Sequence, residues 1–341
     1  MTILATVAGL IAGLIAGESR LEADGRVILS GSRTKRFRDE APGGVPYKYL
    51  GINIWVEILD GMKMSDTEKT ESEELLVEIR DSVMWITINR PEAGNAITPA
   101  VRDRIIESLV SANHDFGVRS VVLTAAGEKH FCTGADLRSG RAAPAPRPEG
   151  VPERTTGEAA NMIRTGIQRL ISSIIDCDKP VIAALNGTAA GGGAAMVLAS
   201  DLVIAADHAR IIQVFVRRGL IPDGGGTYLL PRLIGLQRAK ELVFFGDDLS
   251  AVDAERIGLV NRVVAADQLT ATATEWATRL AQGPTRTIGF AKRLLNRSLD
   301  SDRATMFEEE SLYVELVTST EDSKEGIASF VERRPAEFKG W

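Results

Sequence analysis

Two short apolar runs joined by a glycine-led segment constrain the fold of this chain most strongly. The first run is PVIAALNG at residues 180–187 and the second is DLVIAAD at residues 201–207. Apolar runs of this length, bounded by turn residues, are typical of strands buried on both faces of a sheet. Between them, Gly191–Gly193 precede a short apolar stretch, which predicts a helix whose first turn can approach other groups closely.

The same pattern of strands and helices recurs from Leu75 onwards. LLVEIR and VMWITINR are strand-like and are separated by the turn pair Asp81-Ser82. Thr98-Pro99 then provides a helix cap and a first-turn proline, followed by an apolar stripe. SVVLTAA predicts another strand, and residues 158–176 predict another helix. The chain is therefore predicted to be an α/β protein built from ββα units.

Composition divides the chain into three predicted parts. Residues 1–74 show no sustained period and are predicted to be an extension outside the core. Residues 75–265 carry the ββα units, and residues 266–341 contain successive helical patterns. Residues 139–157 contain four prolines and predict a surface loop or a lid.

Charge and residue counts exclude several classes of function. The net charge is −6, whereas nucleic-acid binders usually carry a basic excess. Two cysteines do not form a disulfide framework, and the three histidines show no metal-ligand spacing, so we expect a cytoplasmic protein without a metal site. The apolar run at residues 3–16 is too short for a membrane span, which takes about 20 residues.

Three ordered segments resemble the crotonase (enoyl-CoA hydratase/isomerase) superfamily. They are NRPEAGNAIT at 89–98, GEKHFCTGADL at 127–137 and the glycine-led segment at 179–207. GLIPDGGGTYLLPRLIG at 219–235 and EGIASFVERR at 325–334 extend the resemblance over most of the chain. It implies a spiral of ββα repeats with a C-terminal helical trimerisation region, hence homotrimers or hexamers. It also implies an acyl-coenzyme A substrate and no separate cofactor.

Enolate chemistry on a thioester requires hydrogen-bond donors fixed in advance at the carbonyl oxygen. We predict that one donor is the N–H of Thr133, at the glycine turn in CTGAD. The other predicted donor is the N–H of Gly192, at the positive end of the predicted helix.

The resemblance also implies which residues contact the rest of the substrate. Ala93, Ala135, Asp136 and Leu137 match positions around the adenine and pantetheine of coenzyme A. Phe330 and Arg333 match positions that close the nucleotide pocket, often from a neighbouring subunit, although Arg333 could instead be a solvated charge.

Two positions depart from the hydratase pattern of this superfamily. Hydratases of this type carry two glutamates, and Ala195 and Phe215 stand at those positions here. Neither side chain can transfer a proton, and Phe215 is expected to line the substrate pocket instead. A carboxylate does occur at Asp223, in a segment that looks like the phenylacetate-pathway isomerases of the superfamily. Asp223 is predicted to be the acid/base, with helix capping as the alternative.

The leading functional hypothesis is therefore an acyl-CoA enoyl isomerase. A hydratase that uses another carboxylate and an acyl-CoA-binding protein without catalysis are the alternatives. Hydrolysis is disfavoured, because no serine stands at the helix start formed by residues 192–195. Cys132, with His130 nearby, is disfavoured as a nucleophile.

A shortened chain tests the predicted extension. A protein beginning at Met64 should retain its melting temperature and its enzymatic activity, because the ββα pattern begins only at Leu75. Differential scanning calorimetry and an enoyl-CoA turnover assay measure the two properties. A large loss of either would show that the preceding residues are a structural part of the enzyme.

Overall fold

The computed structural model describes residues 73–136, 147–152 and 155–341, together with the backbone of short strands between residues 19 and 46. The apolar run at 3–16, the predicted contact residue Leu137 and most of the predicted 139–157 loop lie outside these ranges. The chain divides into two compact units, Met1–Thr70 and Glu71–Trp341.

The first unit contains two small antiparallel pairs. Strand β1 (Ser19–Leu21) pairs with β2 (Val27–Leu29), and β3 (Glu40–Ala41) pairs with β4 (Val45–Pro46). The sequence pattern did not predict these pairs, because strands of two or three residues are too short to show a period.

A six-stranded sheet forms the centre of the second unit. Its order is β14-β11-β9-β7-β6-β5, and all neighbours are parallel except the β5–β6 hairpin. Asp81 and Ser82 form the hairpin turn with positive φ angles of 51° and 62°, as tight hairpin turns require. The strands are β5 (Leu75–Arg80), β6 (Val83–Ile88), β7 (Ser120–Ala125), β9 (Val181–Leu185), β11 (Leu202–Ala206) and β14 (Arg262–Val264).

A second sheet has four strands, three of which are parallel and end at the same edge. Its order is β13-β12-β10-β8, with β8, β10 and β12 parallel to one another. The strands are β8 (His130–Cys132), β10 (Thr188–Ala190), β12 (Arg210–Ile212) and β13 (Asp248–Ser250). Because the three parallel strands end at one edge, the loops that follow them meet there.

Helices cover the sheets and form the C-terminal region, as the sequence predicted. They are α1 (Pro99–His114), α2 (Glu158–Ile163), α3 (Arg169–Ile175), α4 (Gly192–Ala199), α5 (Gly226–Ile234), α6 (Leu236–Phe245), α7 (Ala251–Arg256), α8 (Leu269–Ala281), α9 (Thr285–Ser298), α10 (Arg303–Thr318) and α11 (Glu321–Glu332). Within the described ranges, every helix is too short or too polar to span a lipid bilayer.

Helix α1 has the cap and the buried apolar stripe that the sequence predicts. The Thr98 side chain accepts a hydrogen bond from the Val101 N–H at 3.2 Å, which caps the helix. The predicted stripe of Val101, Ile105, Ile106 and Leu109 is buried against the sheet. Together with the two sheets, this helix confirms the predicted α/β fold class.

The helix predicted over residues 158–176 differs from the observed one. A π-helical turn, Arg164–Gln168, separates α2 from α3. It adds a residue to one turn of an otherwise continuous helix. Hydrophobic periodicity cannot detect a shift of one residue within a single turn, and the sequence therefore predicted an uninterrupted helix.

Arg119 attaches the end of the chain to the core. Its guanidinium donates to the Gly283 carbonyl at 2.6 Å, to the Thr285 hydroxyl at 2.9 Å and to the Phe338 carbonyl at 3.1 Å. These three acceptors come from two segments that are distant in sequence. The helical C-terminal region is thus fixed to the sheet that precedes it.

Candidate functional site

Three loops meet at the ends of β8, β10 and β12. Thr133 and Gly134 follow β8, and Gly191 and Gly192 follow β10. Phe215 lies three residues beyond Ile212, the last residue of β12. The sequence segments that predicted a site are therefore brought together at one edge of the four-stranded sheet.

Gly192 begins helix α4 at the centre of this edge. Its N–H belongs to the first helical turn, where backbone donors have no carbonyl partner within the helix. The helix dipole adds partial positive charge at this point. An anionic oxygen placed here would be stabilised by a donor that is already oriented.

The predicted donor Thr133 is used elsewhere in the structure. Its backbone N–H donates to the Gly94 carbonyl at 3.2 Å, and its hydroxyl donates to the same oxygen at 3.1 Å. An N–H that is already paired is not available to a substrate oxygen. The structure therefore does not support the assignment of Thr133 as an oxyanion donor.

Ala135, two residues further on, is better placed to donate. It forms a parallel bridge with Ile97, in which the Ile97 N–H donates to the Gly134 carbonyl and the Asp136 N–H donates to the Ile97 carbonyl. The N–H of Ala135 itself points to the opposite side. No backbone acceptor for it occurs among the described residues.

The backbone next to Ala135 lies close to Gly192. A Cβ atom placed on Gly134 would lie 3.3 Å from the Gly192 nitrogen and 3.2 Å from the Ala190 carbonyl oxygen. Gly134 also has φ of +97°, which favours glycine. The family resemblance predicts that Ala135 contacts coenzyme A, and the bridge with Ile97 adds that its N–H is turned away from Ile97.

Asp223 lies half-buried, just before the first turn of α5. Burial raises the pKa of its carboxyl group above the ordinary aspartate value. Helix α5 is capped by Gly225 without a side-chain hydrogen bond, so Asp223 does not cap this helix. Asp223 is therefore not the N-cap residue of α5, and its carboxylate interacts with the N–H of its own backbone.

The backbone around Asp223 is held against the start of α4. A Cβ atom placed on Gly224 would lie 3.0 Å from the Ala195 Cβ and 3.0 Å from Ile167 Cγ1. The Gln168 amide donates to the Asp223 carbonyl at 3.2 Å. These contacts link Asp223 to the helix that carries Gly192. Sequence reasoning missed Ile167 and Gln168, because the π-helical turn that orients them leaves no sequence signal.

The two positions that lack glutamate are filled by apolar side chains. Ala195 is buried on α4, and Phe215 is half-buried in the 3₁₀ turn that follows Gln213. The Phe215 ring lies 3.8 Å from the place where a Cβ on Gly191 would be. Both positions therefore present apolar surface beside the Gly192 donor.

The other predicted contact residues fall into two groups. Ala93 ends a 3₁₀ turn in the first motif, and Asp136 forms an ion pair with Arg90 at 2.9 Å, largely withdrawn from solvent. Phe330 and Arg333 lie instead at the end of α11, which packs on α10. Phe330 is 84% exposed in the single chain, and Arg333 is the left-handed C-cap residue.

Neither a cysteine nucleophile nor a metal ion is supported at this edge of the four-stranded sheet. Cys132 is fully buried, and burial raises the pKa of its thiol to about 12. The Gly134 N–H donates to its Sγ at 3.4 Å and lowers the thiol pKa, but burial has the larger effect. Across the described ranges, no group of three His, Cys, Asp or Glu side chains could hold a metal ion.

Comparison with known proteins agrees with these motifs. The family model described as "Enoyl-CoA hydratase/isomerase" matches residues 78–341. A 1,2-epoxyphenylacetyl-CoA isomerase from Escherichia coli (strain K12) is 35% identical over 269 residues, which cover 78% of this chain and 98% of that protein. A short-chain-enoyl-CoA hydratase from Clostridium acetobutylicum has the same 35% identity and the same coverage.

Solved structures agree in the same way. The crystal structure of an enoyl-CoA hydratase from Bacillus anthracis is 35% identical and superposes with a TM-score of 0.70, covering 79% of this chain and 100% of that one. A structure described as an enoyl-CoA hydratase/isomerase from Cupriavidus metallidurans CH34 is 33% identical, with a TM-score of 0.69, and covers 81% of this chain and 98% of that one.

The burial of Cys132 leads to a test of its reactivity. With a thiol pKa of about 12, the thiolate fraction at pH 8 is on the order of 10⁻⁴, so iodoacetamide should not modify Cys132 in the folded protein. Intact mass spectrometry measures the labelling. The same experiment in urea is the control, since both Cys132 and Cys177 should then react. Rapid labelling of Cys132 in the native protein would contradict this assignment.

Proposed function

The chain belongs to the enoyl-CoA hydratase/isomerase family, and on that premise we propose that it shifts a carbon–carbon double bond within an acyl-CoA thioester. The proposal rests on which side chains around Gly192 can transfer a proton and which cannot. Asp223 supplies one half-buried carboxylate, and the two glutamate positions of a hydratase are Ala195 and Phe215. Sequence identity alone does not decide the reaction, because relatives named isomerase and hydratase are equally similar.

In the proposed reaction, the N–H groups of Gly192 and Ala135 both donate to the thioester oxygen. Ala135 takes the place first predicted for Thr133, because the Thr133 N–H is paired with Gly94. Removing one such donor typically costs about 3 kcal/mol of transition-state stabilisation. The two donors therefore stabilise the enolate that forms when a proton leaves the α or the γ carbon.

Asp223 carries the proton in this proposal. Its carboxylate removes a proton from one carbon, the electron pair moves towards the thioester oxygen, and the proton is returned at the other end of the enolate. A single carboxylate is sufficient for both steps, whereas hydration requires a water molecule to be activated and a proton to be delivered. The raised pKa of Asp223 suits a group that must both accept and release a proton.

Replacing Asp223 tests this mechanism. Asp223→Asn keeps the shape of the side chain and removes its basic oxygen, so isomerisation should fall by about 10²–10⁴-fold. Affinity for acyl-CoA should change little, because the proposed oxyanion donors are backbone groups. Asp247→Asn is the matched control, since it makes the same change on an exposed side chain and should leave turnover unchanged.

Turnover of a 3-enoyl-CoA and of a 2-enoyl-CoA distinguishes the alternatives. Unchanged isomerisation in Asp223→Asn would contradict its role as the base. Faster hydration of the 2-enoyl-CoA by the wild type would favour a hydratase, and binding without any turnover would favour a binding protein.

The pH profile of the wild type gives a second measurement of Asp223. Because Asp223 must be ionised to accept a proton, kcat/KM should fall as the pH falls through its raised pKa. The acid limb of the profile should therefore lie above the ordinary aspartate pKa of about 3.9. The residual activity of Asp223→Asn should lack this limb.

We further propose that the chain assembles as a trimer and that trimers pair as hexamers. The single chain exposes a set of large apolar side chains on α10 and α11. They are Phe307, Leu312, Leu316, Ile327 and Phe330. Large apolar side chains on the surface of a single chain mark a protein interface where they cluster. In such an assembly, Phe330 and Arg333 would close the nucleotide pocket of a neighbouring subunit.

Light scattering tests the assembly. The wild type at micromolar concentration should have the mass of a trimer or a hexamer, and Phe330→Asp should shift it towards smaller species. Phe116→Asp is the matched control, because Phe116 is 62% exposed on the loop after α1. A stable wild-type monomer would contradict both the assembly and the role of Arg333 across subunits.

A further inference from the structure

Ile167 lies between the two groups to which we assign the chemistry. Its Cδ1 lies 3.3 Å from the place where a Cβ on Gly192 would be, and its Cγ1 lies 3.0 Å from the corresponding place on Gly224. Gly192 carries the donor, and Gly224 directly follows Asp223. One side chain therefore contacts both the oxyanion end and the proton-transfer end of the site.

The π-helical turn explains why Ile167 faces this way. Ile167 and Gln168 are the last two residues of that turn, and Gln168 donates to the Asp223 carbonyl at 3.2 Å. π-helical turns occur frequently at functional sites, because they change the direction of side chains within a continuous helix. Here the turn directs two adjacent residues towards the same two segments.

The neighbouring Ile171 provides a contrast on the same side of the helix. Ile171 is 4% exposed and also packs near Gly224 and Gly225, but it has no contact with Gly192 within the same distance limit. Ile167 is only partly buried although it packs against the core. Part of the Ile167 side chain therefore remains accessible, whereas Ile171 is enclosed.

From this geometry we propose that Ile167 determines which acyl groups the site accepts, an inference that rests on the proposed function of Gly192 and Asp223. The acyl carbons that react lie between the Gly192 N–H and the Asp223 carboxylate in this proposal. The Ile167 side chain therefore borders the space that the acyl group occupies. Its β-branched side chain is stiff at χ1 and forms a fixed wall. This wall disfavours bulky or cyclic acyl groups.

Binding of saturated thioesters tests the proposal without requiring turnover. Butyryl-CoA and cyclohexanecarbonyl-CoA cannot isomerise, and calorimetry measures their dissociation constants. Ile167→Ala should change the ratio of the two constants by about tenfold or more in favour of the cyclic group, since even one methylene changes selectivity by about 10-fold or more. Ile171→Ala is the matched control and should lower the melting temperature without changing this ratio.

The outcomes separate this inference from the proposed reaction. An equal shift in both variants, or no shift in Ile167→Ala, would overturn the role of Ile167. A shift confined to Ile167→Ala supports it, even if the wild type turns over no enoyl-CoA and the proposed reaction fails. If Ile167→Ala does not fold, Ile167→Val is used, and it should shift the ratio in the same direction by a smaller factor.

Discussion

The packing of the first turn of α4 on the end of β8 is the contact on which the rest of the site depends. A Cβ atom on Gly193 would lie 2.1 Å from the Cys132 carbonyl oxygen, so only glycine fits there. Protein interiors are too closely packed to accommodate such an overlap without movement. A side chain at this position would push α4 away from β8 and separate Gly192 from the segment that contains Gly134.

The surroundings of the α4 N-terminus determine the electrostatics of the site. Apolar side chains, including Ala195 and Phe215, lie beside the N-terminus of α4 and the segment that carries the half-buried Asp223. Interactions between charges are stronger in such surroundings than in water. In the proposed reaction, Asp223 loses its negative charge as the thioester oxygen gains one. Ala195 and Phe215 place no negative charge at the positions of a second carboxylate, and the Asp136 carboxylate next to Ala135 is paired with Arg90.

A network of polar side chains keeps the loops of the site in place. Asn95 is fully buried with φ of +53°, and its amide donates to the carbonyls of Ala126 at 2.9 Å and His130 at 2.6 Å. Its side-chain oxygen accepts from the Arg90 N–H at 2.9 Å, while the Arg90 guanidinium pairs with Asp136. Buried amides and charges are stable only when they are paired in this way. Asp136, predicted from the family resemblance to contact coenzyme A, thus also holds the loop that contains Ala135.

The sequence by itself determined the α/β class, helix α1 with its cap, the glycine-led start of α4 and the absence of glutamate at Ala195 and Phe215. These features depend on local patterns or on the identity of single residues. Only the tertiary structure decided that the Thr133 N–H donates to the Gly94 carbonyl and that the Ala135 N–H is turned away from Ile97. It also decided that Ile167 lies beside Gly192. The physical reason is that those features depend on hydrogen bonds between distant segments and on one extra residue in a helical turn, neither of which is encoded in a local pattern.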